Sequence, residues 1–285
     1  MFFTKNPPGF YIETIHKEYT AKDPVFFDTA PFAWCQELEA KAPQIIECLR
    51  PVLADDFAGL TTNPEDRFQF PPKIWKGFPF YFNGFKFQKH LDAYPFLAAE
   101  LAKIPDMVSA SVSVLEPGAH LLPHNGNSNG VMRYHLGLNI PAPMPECGFI
   151  IGGQGVSWEV GKSFMFCNMN VHSAHNKTSK RRHILMIDVV RPEFVSIKKR
   201  ICALTLAQIL TNNTADKVRG ILGVNKSDQV KQDPTKEMKY EANKSYAMKD
   251  EKISFTIAAF RIAEKMVLGT YIVAISTLFF FKKLQ

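Results

Sequence analysis

The sequence lacks the cysteine patterns of a disulfide framework or a zinc site. Its five cysteines are odd in number, widely spaced and include no Cys-x-x-Cys pair, so we expect reduced and mostly buried thiols. Its net charge of +7 is compatible with nucleic acid, anionic lipid or an acidic substrate. Because it lacks helix-turn-helix, zinc-finger and RNA-recognition signatures, we expect no nucleic-acid partner. We expect no secretory signal peptide, because Lys5, Pro7 and Pro8 interrupt the apolar start.

Long apolar runs are also scarce, and the clearest is near the C-terminus. Residues 266–281 carry no charge, and counting from Phe260 makes the run long enough for a thin bilayer if the nearby charged side chains snorkel. We predict a single-pass C-terminal membrane anchor, with a helix packed on the domain as the alternative. Lys282 and Lys283 fit positive-inside anchoring or a di-lysine retrieval signal, which leaves endoplasmic reticulum and bacterial inner membrane open.

Two helical patterns precede a series of short extended segments. In Pro31 to Leu53 and in Leu91 to Ile104, apolar residues recur every three or four positions. Strands are predicted at Val108–Leu115, Met132–Ile140, Gly148–Ile151, Ser157–Glu159, Ser163–Phe166 and His183–Val190. Proline and glycine pairs between them predict an antiparallel all-β core.

The composition changes after Pro192, which suggests four regions. We predict an N-terminal extension (1–30), a β domain (31–195), a polar lysine-rich linker (196–252) and the amphipathic and transmembrane segment (253–285). Within the linker, Ile201 to Val224 has a pattern that allows one or two helices, whereas 225–252 is weakly patterned.

Two histidines and an arginine are the candidate chemistry of the β domain. His124 and His172 each follow or end an extended apolar run, and Arg182 comes ten positions after the second histidine. Iron(II) that activates oxygen needs few nitrogen ligands and open coordination positions, and an arginine suits the distal carboxylate of 2-oxoglutarate. Spacing alone is a weak signal for such a site, because a lone histidine at a strand end is more often structural.

The surrounding motifs make the signal specific. Residues from about 31 to 194 resemble the aspartyl/asparaginyl beta-hydroxylase family, which includes lipid A hydroxylase-like members. The resemblance is carried by Ser113-Val-Leu-x-Pro-Gly118, Pro123-His124-x-Gly126, Arg133-x-His135-Leu-Gly-Leu138, Pro141, Cys147, Trp158-x-x-Gly161-Lys162, Phe166, His172, Arg182 and Asp188-Val-x-x-Pro192.

The resemblance implies a mainly β fold, a double-stranded β-helix (jelly roll) with flanking N-terminal helices. It implies His124 and His172 as the catalytic iron ligands, and Arg182 with Ser113 as the group that binds the distal carboxylate of the cosubstrate. His135 matches a residue near the metal-proximal carboxylate. Arg133 matches one that contacts cosubstrate or an acidic substrate. The implied cofactors are Fe(II) and 2-oxoglutarate.

The chain departs from the family where acids are expected near the metal. Gly126 stands where the lipid A branch has aspartate, although the protein-hydroxylating branch is similar to this sequence there. Cys167 and Asn168 stand where acids are expected just before the second histidine, so weaker iron binding is expected. Trp158, Gly161 and Lys162 are interpreted as turn and packing residues.

The predicted activity is a membrane-anchored 2-oxoglutarate-dependent dioxygenase that hydroxylates an unactivated C–H bond. The predicted substrate is an Asp or Asn side chain of a protein, because His-x-Gly matches that branch. A lipid acyl chain is the alternative, favoured by the small size and the C-terminal anchor but opposed by Gly126. A third reading is a catalytically degenerate jelly roll that binds an anionic ligand, motivated by Asn125, Gly126, Cys167 and Asn168.

Overall fold

A computed structural model of the chain describes residues 6–13, 15–16, 19, 22–63, 68–221 and 270. Over these residues the protein is mainly β, with its strands in two antiparallel sheets. The strands, numbered β1 to β13 in chain order, are Phe26–Phe27, Thr61–Thr62, Gln69–Phe70, Trp75–Phe82, Phe85–Lys86, Met107–Leu115, Ala119–His124, Val131–Asn139, Cys147–Ile151, Gln154–Val156, Ser163–Phe166, His172–Asn176 and Arg182–Val190.

Short helices lie between β1 and β2 and between β5 and β6, and a long helix follows the last strand. The helices, α1 to α6, are Ala33–Ala40, Ala42–Cys48, Arg50–Leu53, Gln88–Ala93, Pro95–Leu101 and Lys198–Ile221. Pro43, Pro51 and Pro95 lie in the first turns of α2, α3 and α5, where the missing proline N–H costs no intrahelical hydrogen bond. The two predicted helical regions are thus confirmed, each as a set of consecutive short helices.

The two sheets enclose the space in which the candidate residues lie. The larger sheet has the order β1-β11-β8-β13-β6-β4-β2, with β5 paired to β4, and the smaller sheet has the order β10-β9-β12-β7-β3. Leu115 and Ile184 of the larger sheet pack in one core with Phe149 and Ala174 of the smaller sheet. On the other face of the larger sheet, residues such as Val112 pack against α1 to α5.

Strand alternation therefore sorts the residues of β6 into two environments. Val112 and Val114 belong to the core under the helices, whereas Ser111 and Ser113 point to the inter-sheet side. A run that reads Ser-Val-Ser-Val is polar on one face because that face lines cavities rather than packed core.

Most predicted strands are confirmed, and the prediction was wrong at Ser157–Glu159. The chain turns at Gly152 and Gly153, which have positive φ angles of 53° and 80°, and β10 pairs with β9 only as far as Val156. Ser157 instead accepts a hydrogen bond from the Met144 N–H. The strands β7 and β12, which carry the two candidate histidines, were not predicted.

The long helix α6 begins where the polar linker was predicted. A 3-10 helix, Pro192–Ile197, leads into α6, and Ile201 and Leu204 are buried against Phe194 and Val190. The pattern that allowed a helix after Ile201 is therefore confirmed, and that helix packs on the β domain. No helix within the described ranges is long and apolar enough to cross a membrane. The predicted anchor, 266–281, lies outside these ranges except for residue 270.

The buried histidine of β13 gives a testable pH dependence. His183 is 0% exposed, and burial, aided by the Arg182 charge, lowers its pKa from 6.5 to about 4. The unfolded chain therefore binds this proton first as the pH falls below 6.5, so the folded state loses about 3 kcal/mol between pH 6.5 and 4. Replacing His183 with leucine should remove that contribution, as measured by urea unfolding at several pH values. An unchanged pH slope in His183→Leu would contradict the assignment.

Candidate functional site

His124 and His172 are brought together by the pairing of β7 with β12. The two residues are direct cross-strand partners, and their ring centroids lie 4.3 Å apart. Both side chains are buried, and Phe68 stacks on the His124 ring at 4.4 Å. Residues opposite each other on antiparallel strands share a face, so the sheet register presents both rings on one side.

The hydrogen bonds of both rings fix the same tautomer. Nδ1 of His124 donates to the Leu122 carbonyl at 2.7 Å, and Nδ1 of His172 donates to the Asn170 carbonyl at 2.8 Å. With the proton on Nδ1, each Nε2 carries a lone pair, which is the arrangement of histidines that bind metals. Burial and the nearby His124 hold the pKa of His172 well below its usual range, so the ring is neutral. The pair fits a divalent metal ion with nitrogen ligands.

No carboxylate joins the histidine pair within the described part of the chain. No group of three or more His, Cys, Asp or Glu residues there is placed to hold a metal ion. The position two residues after His124 is Gly126, and a Cβ built on it would lie 2.5 Å from Cγ of Asn168. Asn168 is 4% exposed, and its Oδ1 has no hydrogen-bond partner among the described residues. The amide of Asn168 thus occupies the space that a side chain at position 126 would need.

This close contact predicts a steric coupling between Gly126 and Asn168. Gly126→Ala should lower the free energy of unfolding by about 1 to 3 kcal/mol, because the new methyl group overpacks a buried site. In an Asn168→Ala background the same substitution should cost little, and the difference measures the coupling. Gly77→Ala is the control, since its Cβ would meet only the Val112 carbonyl at 3.5 Å. Equal costs in the two backgrounds, measured by urea unfolding, would contradict the contact.

Arg182 is a buried cation that faces the inter-sheet space. Its side chain is 2% exposed, its guanidinium lies 4.5 Å from the centre of the Trp158 ring, and its Nη1 donates to the Ser113 carbonyl at 3.4 Å. Its Nε has no hydrogen-bond partner among the described residues, and no ion pair involves it there. Burial lowers the pKa of Arg182 to about 10, so it stays charged near neutral pH. A buried charge without a counter-ion is costly, which indicates an anionic ligand.

Ser113, whose carbonyl accepts from Arg182, lines the same cavity. Ser113 sits on β6, opposite Ile184 of β13, and is 3% exposed. Its Oγ accepts a hydrogen bond from Nε1–H of Trp75 at 3.0 Å. Because indole N–H groups only donate, this contact leaves the hydroxyl proton of Ser113 to be donated elsewhere in the cavity.

His135 presents a second donor to the same cavity. Nδ1 of His135 lies 3.3 Å from Nε1 of Trp158, and the indole N–H must be the donor, so the histidine proton is on Nε2. That Nε2 is buried and has no partner among the described residues. Burial, followed by the nearby Arg133, holds the pKa of His135 well below its usual range. The ring is therefore a neutral N–H donor.

Arg133 forms an ion pair that the sequence did not predict. Its Nε and Nη2 donate to the two carboxylate oxygens of Asp188 at 2.8 and 2.9 Å, a bidentate arrangement. The two residues are direct partners on β8 and β13. The charge of Arg133 is thus largely compensated, in contrast to that of Arg182.

The six residues predicted from the sequence line one small cavity of about 30 Å³. They are Ser113, His124, Arg133, His135, His172 and Arg182. Trp75 and Trp158 also line it and bind Ser113 and His135, so the interpretation of Trp158 as a packing residue was incomplete. The sequence feature that could have indicated a site role for Trp158 is its place in the Trp158-x-x-Gly161-Lys162 motif. His120 and His175 lie on the same two strands and pair with each other outside this cavity.

A second and larger cleft, of about 290 Å³, adjoins the first cavity. Trp75, Arg133 and Met186 line both, so these side chains form the boundary between them. The cleft continues along the inter-sheet face of β6, past Ser111 and Ser109. The first cavity therefore adjoins a cleft whose volume is close to the ~300 Å³ at the lower end of small-molecule sites.

Comparison with known proteins gives two sets of hydroxylases. The chain is 33% identical over 188 residues to the ornithine lipid ester-linked acyl 2-hydroxylase of Rhizobium tropici, covering 64% of this chain and 66% of that protein. It is 28% identical over 142 residues to the human aspartyl/asparaginyl beta-hydroxylase, covering 48% of this chain but only 18% of that protein. The chain thus spans less than two thirds of each relative.

Solved structures resemble the chain only weakly. A cupin domain of an XRE family transcriptional regulator from Enterobacter cloacae aligns with 41% of this chain and 98% of its own, at 14% identity and a TM-score of 0.29.

The family model for aspartyl/asparaginyl beta-hydroxylase matches residues 39–192, which include both histidines, Arg182 and the strands that carry them. That stretch is more than half of the chain. The chain therefore belongs to the aspartyl/asparaginyl beta-hydroxylase family.

Proposed function

We propose that the protein is an Fe(II)- and 2-oxoglutarate-dependent dioxygenase built on a double-stranded β-helix. The observation that carries the proposal is the shared cavity: the histidine pair lines it together with a buried arginine that has no counter-ion among the described residues. A metal ion bound by two nitrogens keeps open positions for a bidentate cosubstrate. A buried guanidinium suits the far carboxylate of a dicarboxylic acid.

Each cavity residue then has a stated task. Nε2 of His124 and Nε2 of His172 would hold iron(II). Arg182 and the hydroxyl of Ser113 would bind the distal carboxylate of 2-oxoglutarate, with Trp75 fixing the direction of the Ser113 proton. Nε2–H of His135 would donate to the metal-proximal carboxylate, and Trp158 holds that ring in the required tautomer.

When bound, iron(II) with 2-oxoglutarate and O₂ would supply the oxygen chemistry: one oxygen atom would enter the succinate formed as the cosubstrate loses carbon dioxide, and the other would enter a C–H bond of the substrate. The chain positions the reactants and excludes water. Phe149, Phe166 and Ile184 form the apolar part of the cavity wall. These side chains keep the site dry, which strengthens the interaction of Arg182 with a carboxylate.

Of the two substrates that the sequence leaves open, we propose a lipid acyl chain first. The charged side chains among the described residues of the larger cleft are Arg133 and Asp188, which compensate each other, and the titratable His90. A cleft with little net charge suits a hydrocarbon chain better than an Asp side chain, which needs an unpaired cation. The relative from Rhizobium tropici supports the same choice, because its name describes an acyl 2-hydroxylase.

Asp or Asn side chains of a protein are the second candidate. Gly126 favours them, because the protein-hydroxylating branch resembles this chain at that position, and the human relative supports them by name. A catalytically degenerate binding domain is the third candidate, since no described carboxylate accompanies the histidines.

One experiment separates the three candidates. Purified full-length protein is incubated with Fe(II), ascorbate and 2-oxoglutarate, together with ornithine-containing lipid or with a peptide that carries Asp and Asn. Succinate release and a mass gain of one oxygen atom on the lipid support acyl hydroxylation, and the same gain on the peptide supports protein hydroxylation. No succinate with either substrate, together with no iron retained, would refute the dioxygenase.

We also propose that residues 266–281 anchor the protein in a membrane, because this segment is apolar and carries no charged side chain. Deletion of 266–285 should release the protein from the membrane pellet. Retention in the pellet would refute the anchor.

A further inference from the structure

Helix α6 contributes to the wall of the larger cleft. Thr205 and Ile209 line it together with Ser109 and Ser111 of β6. The two helix residues are four positions apart and therefore share one face of α6. Ile209 is 9% exposed, whereas the next residue, Leu210, is 39% exposed, as expected for side chains a third of a turn apart.

The start of α6 is held firmly against the β domain. Ile201 and Leu204 belong to a buried apolar cluster with Val108, Val131 and Val190. Val108 and Val131 also line the cleft, so the same strand ends support the helix and border the cavity. Because Ile201 and Leu204 hold the start of α6 in place, the positions of the adjacent Thr205 and, about one turn later, of Ile209 are fixed as well.

The close approach of α6 depends on a glycine. A Cβ built on Gly130 would lie 2.9 Å from Cδ1 of Ile201 and 3.0 Å from the Phe10 ring. Gly130 precedes β8, the strand that carries Arg133 and His135. Helix α6 therefore packs directly against the start of β8, the strand that positions Arg133 and His135.

This wall lies outside the part of the chain that matches the family. The family match ends at residue 192, and α6 begins at Lys198. The histidine pair and the arginine belong to the shared domain, while part of the cleft belongs to a segment beyond it. A segment outside a shared catalytic domain is a suitable place for substrate selection, because it changes the cleft without altering the chemistry.

We propose that α6 is a specificity element, and that Ile209 with Thr205 sets the cross-section of the cleft for an acyl chain. The acyl substrate rests on the proposed function, whereas the placement of the two side chains in the cleft wall does not. Ile209 supplies an apolar contact for methylene groups, and Thr205 places a smaller side chain one turn earlier.

The test measures acyl-chain binding without requiring turnover. The probe is parinaric acid, a long-chain fluorescent fatty acid, added to full-length protein in the presence of saturating 2-oxoglutarate so that its carboxylate does not compete at Arg182. Ile209→Trp should raise the dissociation constant of the probe about tenfold or more, because the larger ring overfills the cleft. Leu210→Trp is the matched control, since it adds the same side chain on the exposed side of the same turn.

Equal effects of Ile209→Trp and Leu210→Trp, or no binding of the probe by the unaltered protein, would overturn the proposal. Substrate-independent succinate release is measured in parallel and should stay within about twofold in both variants, because α6 does not line the first cavity. Absence of succinate in all three proteins would refute the dioxygenase function while leaving the binding result intact. The two failures are therefore distinguishable.

Discussion

Replacing Arg182 with methionine is expected to weaken the binding of 2-oxoglutarate by about 100-fold, because a buried charge-assisted contact to its distal carboxylate is lost. The same substitution should leave the ligand-free protein as stable as before, or more stable by about 1 to 4 kcal/mol, since it removes a buried charge that has no counter-ion among the described residues. A loss of affinity together with a gain of stability is not expected for a residue that only supports the fold.

Both effects are measurable on the purified protein. Binding is followed by titration of tryptophan fluorescence, since Trp158 contacts the guanidinium, and stability is followed by urea unfolding. Arg181→Met serves as the control, because the side chain of Arg181 pairs with Glu116 and points away from the cavity. If Arg182→Met binds 2-oxoglutarate as tightly as Arg181→Met, the assigned role of Arg182 is wrong.

His172→Ala should abolish iron retention and with it succinate formation. Loss of a supporting group around a metal costs roughly 10- to 100-fold in affinity, and loss of one of only two nitrogen ligands should cost more. The expected result is no iron in the protein after gel filtration, as measured by metal analysis, with a folded far-ultraviolet circular dichroism spectrum.

The matched control for this substitution lies on the same two strands. His175 of β12 is paired with His120 of β7, three residues along from the pair of His172 with His124. His175→Ala removes an equal side chain from the same strand outside the cavity, so iron should be retained. Full activity in His172→Ala, or equal losses in both variants, would contradict the ligand assignment.

Much of the candidate site could be predicted because its residues recur in a motif with characteristic order. Ser113, His124, His135, His172 and Arg182 carried that prediction, and the structure places them around one cavity. The mainly β class followed from short apolar segments punctuated by proline and glycine.

The remaining features depend on contacts between residues far apart in the chain. The hydrogen bond from Trp75 to Ser113 joins positions 38 residues apart, and the bidentate pair of Arg133 with Asp188 joins positions 55 apart. Periodicity reports only which face of an element is apolar. It cannot report that the amide of Asn168 fills the space beside Gly126.

The same limit explains the missed strands. β7 and β12 contain polar and titratable residues, including the paired histidines His120 and His175. They therefore lack a clear alternation of apolar residues. Their pairing follows from their neighbours β9 and β3 in the smaller sheet, which the local sequence does not reveal.

The cross-strand position of the histidine pair has a consequence for the folding equilibrium. A metal ion held by His124 and His172 would tie β7 to β12, two strands whose joined residues are 48 positions apart in the chain. Unlike a disulfide, this link leaves when the protein unfolds, so its contribution grows with the concentration of metal. Amide hydrogen exchange should accordingly speed up after chelation in β7 and β12, and also in core strands such as β6 and β13 wherever their amides exchange through global unfolding.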